Sequence, residues 1–316
     1  MATVDTYNTV GVKEDVSDII SNISPTKTPF QSMIGTADRV TQRIFEWQED
    51  SLMEVGSNAA AEGAAAPEAN AQPTVMRQNT TQIFTKTASV TGSMEATKSY
   101  GRGKEMSYQM AMRAKELKRD LEWAYVGSGQ AFTAGDGKTA RTMAGFQGMI
   151  DPSKVYTAGV GFNAGSKKSD ASPLTEQMVL DAQQAGYAAG ADLTTLMVVP
   201  SDSVRVASFS ASGRTVFVEN QATTLNNSIS IYKSPYGTLK VVMNRFLRGT
   251  NANPKRKDPT ADALLFDADM WKKVPFRPWF TQDLAKVGDC QNKQIIGEHS
   301  LKHVNFNASV LITNLG

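Results

Sequence analysis

GDGKT, residues 135–139, is the segment nearest in pattern to a phosphate-binding loop. Amides of a glycine-rich turn can cradle phosphate oxygens, and a lysine beside them can reach the outer phosphates. That pattern needs a further glycine five residues before the Gly-Lys-Thr glycine, and Phe132 stands there. RTMAGF, which follows, is a poor helix start, so the segment reads as a turn. GRGK, residues 101–104, could hold an anion at a helix N-terminus, but it better suits a turn into a helix. His299 and His303 are the only histidines, four residues apart. On a helix that spacing could hold zinc. Their segment alternates with period two, as a strand does, which sets them about 13 Å apart. Cys290 carries no signal of an activated thiol and reads as inert. No G-x-S-x-G elbow is present. Glu49 and Asp50 lie in a ribbon rather than a pocket and read as a solvated or interface face. No residue is assigned as catalytic, cofactor-binding or metal-ligating, no cofactor is expected, and the chain is expected not to be an enzyme. KRK at 255–257, with Arg245 and Arg248 nearby, is the densest basic cluster. It reads as a solvated loop or as a contact for a nucleic-acid backbone or an acidic neighbour.

The elements that would position such groups follow from the totals and the patterning. With 316 residues the chain can form two or three domains with a substantial core. A net charge of +2 makes the whole molecule no polycation. Its single cysteine excludes an internal disulfide and suits a reducing compartment. The N-terminal residues lack the basic start and apolar run of a signal peptide. No apolar run is long enough to span a membrane. Synthesis and use in a cytosol are expected.

Residues 1–38 read as an arm. Val16, Ile19, Ile20 and Ile23 suit a short amphipathic helix; Pro25 and Pro29 follow, with Phe30, Met33 and Ile34 as an anchor. Residues 39–92 read as a long β-hairpin, with strands of about fourteen residues spanning roughly 46 Å. RVTQRIFEWQEDSL places Phe45 and Trp47 on one face. VGSNAAAEGAAAPEANAQP, almost free of large apolar groups, forms the tip. A two-stranded ribbon of that length is marginal by itself in water, so it is expected to lie on a neighbour. KEMSYQMAMRAKELKRDLEWAYV, residues 104–126, reads as one helix about 35 Å long. Met106, Met110, Ala114, Leu117, Leu121 and Ala124 form a thin apolar stripe, with charged residues, Glu122 among them, on its flanks.

Residues 127–172 read as a long surface connection that holds short strands or serves an interface. Residues 173–250 read as a compact α/β unit. Ser172 is the expected N-cap of a first helix, with Pro173 at its first position. LTTLMVVP is a buried strand stopped by Pro200, Ser201 caps a second helix, and SISIYKSPYGTLKVVMNRF is a hairpin. The chain finishes in strands. In the last, Val304, Phe306, Ala308, Val310 and Ile312 alternate with His303, Asn305, Asn307 and Ser309.

This order of flexible arm, long hairpin, long helix, α/β unit and final strands resembles the major capsid proteins of tailed bacteriophages. Theirs is the Hong Kong 97 fold, shared with bacterial encapsulin shells. ISPTKTPFQSMIG, FEWQEDSL, AAAEGAAA, QNTTQIFTKTASVTGS, KELKRDLEWA, TARTMAGFQGMI, YGTLKVVMNRF and MWKKVPFRPWF, in that order, are similar to a group of head proteins often found in short-tailed phages. The resemblance implies an α+β fold in five parts. These are an N-terminal arm (1–38), an extended loop with the strand after it (39–97), the spine helix and connection of a peripheral domain (98–172), an axial domain (173–250) and return strands of the peripheral domain (251–316). It implies a homo-oligomer of pentamers and hexamers closing into an icosahedral head around double-stranded DNA, assembled in the host cytoplasm and located in the virion. Its implied partners are a scaffold protein, a portal and a decoration protein, with weak contact to packaged DNA and none to membrane. Phe30, Phe45, Trp47, Ile83 and Phe84 are the candidate inter-subunit anchors. Some members of the fold cross-link lysine to asparagine. Lys86 lies in the hairpin, but no asparagine partner is evident, and cross-linking is not expected. The alternatives are an encapsulin-like compartment, a phage fibre or carbohydrate-binding module, and an enzyme. The long helix speaks against the second and the motif inventory against the third.

Overall fold

A computed structural model describes residues 26–53, 55–66, 72–98, 103–162, 171–209, 231–248 and 260–316. The proposed amphipathic helix at 16–23 and the KRK cluster lie outside them, as do Gly101 and Arg102 of GRGK. The chain divides into two compact units.

The smaller unit is built on residues 85–118 and 279–296. It takes in most of strand β4 (Gln82–Thr91), the short helix α2 (Gly92–Ala96) and the start of helix α3 (Glu105–Val126). Ala88, Val90 and Met106 are buried there, with Met94 and Met110 packed against them. Alternation along β4 makes this possible: every second side chain faces one way, and the small Ala88 lets helix and strand come close. Thr91 caps α2, its hydroxyl accepting the Met94 amide at 3.4 Å. Glu95 then caps α3, accepting the Met106 amide at 3.0 Å. A carboxylate at a helix N-terminus is favoured by the helix dipole as well as by the hydrogen bond.

The larger unit holds residues 28–84, 119–278 and 297–316. Its centre is a seven-stranded mixed sheet. In chain order the strands are β5 (Val155–Thr157), β6 (Gly161–Phe162), β7 (Thr195–Val198), β8 (Ile231–Ser234), β9 (Gly237–Met243), β10 (Ala261–Phe266) and β13 (Ser309–Leu315). Their spatial order is β6-β5-β13-β10-β7-β9-β8. β7 and β9 run parallel; β10 is antiparallel to both its neighbours. Period-two alternation splits the side chains between two faces. Ala263, Leu265, Leu196, Val198, Val310 and Ile312 belong to one core cluster, with Val179 and Ala182 of helix α4 (Glu176–Ala188) and Val206 of helix α5 (Pro200–Ser208).

Phe266 belongs to a second, aromatic cluster with Phe30, Tyr125, Phe146 and Trp271. Phe30 stands 5.4–6.1 Å from the other four rings, edge-on to each. Phe30 is the second residue of helix α1 (Pro29–Met33), which leads into the two-residue strand β1 (Gly35–Thr36). β1 pairs in parallel with β11 (Trp271–Asp283), in a four-stranded sheet of order β1-β11-β12-β4, where β12 is Cys290–His303. A separate two-stranded ribbon joins β2 (Ile44–Glu49) to β3 (Val75–Thr80).

Several sequence expectations change at this level. The ribbon pairs six residues on each strand, Ile44 with Thr80 through Glu49 with Val75. It breaks at Thr81, whose amide is held by the Arg43 carbonyl at 2.8 Å and whose hydroxyl bonds Glu298 at 2.6 Å. Beyond that pin the chain turns away as β4, so Lys86 lies in the four-stranded sheet and not in the hairpin. The connection at 127–162 holds short strands, β5 and β6, as expected, but it does not stay on the surface: Met143, Ala144, Phe146, Met149, Ile150 and Ala158 are all buried. Their spacing matches neither helix nor strand period, which hid them. α4 is capped by Thr175, not Ser172, because the Ser172 backbone is already bonded to Asn314 and Gly316 beside β13. α5 takes Pro200 as its first residue and Val199 as its N-cap, so Ser201 is not the cap. The final alternating run is two elements: β12 ends at His303, and an Asn305 turn precedes Ser309, with Asn305 Oδ1 accepting the Asn307 amide at 2.9 Å. On α3 the stripe holds except at Ala114, which is exposed, and it widens toward the C-terminus, where Glu122, Tyr125 and Val126 are buried as well.

Candidate assembly interface

The residues considered for chemistry are placed in structural roles. Asp136 closes the GDGKT turn, its Oδ1 accepting the amides of Lys138 and Thr139 at 2.8 and 2.5 Å. Those bonds hold its carboxyl below the usual range. The α3 N-terminus receives Glu95 of its own chain. Cys290 donates from Sγ to the Val287 carbonyl at 3.0 Å. Among the described residues, no cluster of three or more His, Cys, Asp or Glu could hold a metal ion, and no helix is long and apolar enough to cross a membrane.

Both histidines are on β12, four residues and about 13 Å apart along the strand, too far for a shared ion. His303 is fully buried and stacked on Trp271, with ring centroids 3.9 Å apart. Its ring joins a relay. The Trp271 indole donates to Ser309 Oγ at 3.0 Å, Ser309 is 3.0 Å from His303 Nε2, and His303 Nδ1 is 3.0 Å from the Met149 carbonyl. With Nδ1–H donating to Met149, Nε2 accepts the serine proton, and the ring is neutral. Burial pulls its pKa down to about 3, and that of His299 to about 4.

Three carboxylates read as charged surface or passed over in the sequence prove to be internal clamps. Glu49 is 8 % exposed, bonded to Arg77 Nε and to the Phe306 amide, both at 2.8 Å. It therefore fastens the ribbon base to its own subunit and is no solvated face. Glu298, 1 % exposed, bonds Arg141, Arg277 (2.9 Å) and Thr81 (2.6 Å). Burial pushes its carboxyl up, and the bonds from Thr81, Arg277 and Arg141 outweigh that and hold it below the usual range. Glu122 is wholly buried at the C-terminal end of α3. It accepts the amides of Phe30 at 2.8 Å and Gln31 at 2.9 Å, and Asn244 Nδ2 at 2.8 Å. Burial raises its pKa against those three donors. Glu122 stands beside Leu121 on the edge of the stripe, and its spacing carried no signal of its burial.

The five candidate anchors divide. Phe30, Trp47 and Phe84 are at most 8 % exposed, packed inside their own subunit. Phe45 is half-buried and stacked on Trp47 at 5.6 Å. Ile83 alone is exposed. Among the described residues, the most exposed large apolar side chains are in the ribbon tip. Leu52 and Val55 are 97 % and 104 % exposed, and Met53 is 53 % exposed. Large apolar side chains so fully in water are uncommon on a stable free surface.

The likeness to known proteins runs the length of the chain. The profile of the SU10 major capsid protein family matches residues 2–316. The major capsid protein of Escherichia phage Phieco32 is 30 % identical over 353 residues, covering 98 % of this chain and 96 % of that one. Among solved structures, the capsid of a native GTA particle superposes with a TM-score of 0.65 at 13 % identity, over 96 % of each chain. A chain of the Mycobacterium phage Bobi structure gives 0.60 at 14 % identity over 95 % of each. The SrpI encapsulin of Synechococcus elongatus PCC 7942 gives 0.62 at 7 % identity, over 100 % of this chain and 96 % of that one, a likeness of fold alone. The α+β architecture is thus the Hong Kong 97 fold, and the chain belongs to the SU10 major capsid protein family, the structural proteins of virion capsids.

Proposed function

We propose that the chain closes into an icosahedral head by forming pentamers and hexamers in which each ribbon tip, residues 50–74, lies over the next copy. The observation that carries this is the exposure of Leu52 and Val55 beside a ribbon base that Glu49 and Trp47 hold firmly to their own body. A rigid base with an uncovered apolar tip is built to reach outward. Many such contacts, each weak, add up over a closed shell. In this reading α3 is the spine of a peripheral domain, residues 173–250 form the axial domain around the five- and six-fold axes, and 251–316 return to the peripheral sheet. The role is structural, without catalysis. A net charge of +2 suits an inner wall that touches packaged double-stranded DNA only weakly. A scaffold protein, a portal and a decoration protein complete the proposed partners.

The test is deletion of residues 54–74. The expected product keeps the circular-dichroism spectrum of the folded subunit but no longer sediments as megadalton particles. Shells of normal size and yield from that deletion overturn the proposal.

A further inference from the structure

One face of α3 has no part in these roles. In the smaller unit Met106 and Met110 lie on the side of the helix that packs with Ala88 and Val90. Lys104, just before the helix, and Ser107, Ala111, Ala114, Lys115 and Lys118 fall on a different side, within one stripe about 100° wide at about 3.6 residues per turn. All six are exposed. The stripe therefore carries three cations and otherwise only small side chains. The acids of the same stretch are turned elsewhere. Glu105 is buried, and Glu116 bonds Arg113 at 2.7 Å and lies 3.8 Å from Lys86 of β4.

Such a stripe attracts an anionic partner, and its composition chooses between the two classes available. A protein partner buries apolar and aromatic groups at the centre of its contact, and this stripe offers none. A phosphate backbone needs only cations that reach it past short side chains, and lysine supplies them as point charges without a fixed fork. Lys104 and Lys118 are about 21 Å apart along the helix. A duplex carries about a dozen phosphates over that length, so the three ammonium groups meet phosphates in many registers and read no sequence. We propose that the Lys104–Lys118 face of α3 lies on the inner wall of the shell and holds packaged double-stranded DNA by its phosphates. This rests on the reading of the chain as a head protein that encloses DNA, and adds the face that meets it. Three lysines make each contact weak, and many copies add the contacts together.

The test compares a helix variant, Lys104→Gln with Lys115→Gln and Lys118→Gln, with a control of equal charge, Lys233→Gln with Lys240→Gln and Lys272→Gln, at exposed lysines elsewhere. Glutamine matches lysine in helix propensity, and thermal melts check that both variants fold. Binding of the full chain, as unassembled subunits, to a short DNA duplex is followed by fluorescence anisotropy over a series of salt concentrations. The unsubstituted subunit should bind with a slope of log K against log salt of about −2.7, the value for three phosphates. The helix variant should lose about ten-fold or more in affinity at low salt and most of that slope, while the control stays within about two-fold. Intact empty particles should not bind added duplex, because their inner wall is closed to it. Equal losses in the two variants would reduce the effect to net charge and overturn the proposal. So would an unsubstituted subunit that binds no duplex, a polyglutamate chain that competes better than duplex of equal charge, or intact empty particles that bind duplex from outside. These outcomes strike the face alone; failure of the unsubstituted chain to form megadalton particles would strike the shell reading instead.

Discussion

Glu122 and Phe30 lie 92 positions apart in sequence, and the carboxylate of one accepts the backbone amide of the other at 2.8 Å inside the core. The bond has a mate from Gln31 at 2.9 Å, so one carboxylate caps the two successive amides at the start of α1. It ties the end of the long helix to the anchor segment at residues 29–33. The Phe30 ring, inserted among Tyr125, Phe146, Phe266 and Trp271, does the same through apolar burial.

Replacing Glu122 by Ala leaves two backbone donors and the Asn244 amide group without their acceptor in a site closed to water. Each unmet donor costs about 1–3 kcal/mol. The expected loss for Glu122→Ala is about 3–5 kcal/mol, measured by urea denaturation of the unassembled subunit. Glu122→Gln keeps one acceptor oxygen and should lose less. Equal and small losses for both would show that the carboxylate does not hold α1.

Phe30→Ala removes a fully buried ring and should cost about 3–5 kcal/mol. Ile83→Ala, at an exposed position, should change subunit stability by under about 0.5 kcal/mol. Thermal melts of the two variants separate an anchor of the fold from a residue open to a neighbour. If Phe30→Ala melts like wild type and only assembly suffers, Phe30 is an interface residue instead.

Glu298 holds two arginines and a threonine, and Arg141 and Arg277 lie on different elements of its unit. Breaking a buried ion pair from one side costs about 3–5 kcal/mol. Glu298→Ala is therefore expected to destabilise by that amount. Arg141 and Arg277 keep 23 % and 40 % of their side chains exposed, so water takes up part of that cost; adding Arg141→Met and Arg277→Met should recover a further part, since neither guanidinium is then left without its carboxylate. A double-mutant cycle showing no coupling would contradict the clamp.

Acid should weaken the subunit through His303. Its pKa in the fold, about 3, lies below the unfolded value near 6.5, so the unfolded chain binds more protons between them. The stabilisation from the neutral ring is complete above the unfolded pKa and is lost as pH falls toward the folded one. From pH 6.5 to 5 the expected loss from this group is about 2 kcal/mol. His303→Gln should be less stable at pH 7 but should show a shallower fall on acidification. An unchanged slope in denaturant titrations across that range would refute it.

Length, low net charge, the helix at 105–126, the SPYG hairpin and the run of buried strand at LTTLMVVP were all legible in the sequence, because each depends on local periodicity or turn chemistry. That the tip has no core of its own was legible too, and Leu52 and Val55 stand in water there. What the sequence alone could not decide was which charged residues turn inward. Glu49, Glu122 and Glu298 look like surface groups in one dimension. Burial of a carboxylate is settled by donors far away in the chain: Phe306 for the first, Phe30 and Asn244 for the second, Arg141 and Arg277 for the third. The same holds for Met143, Ala144, Phe146, Met149 and Ile150, whose buried side chains follow no period because they fill space between elements and belong to no strand or α-helix. Local pattern names the elements, and only the packed structure says which polar groups have partners enough to leave water.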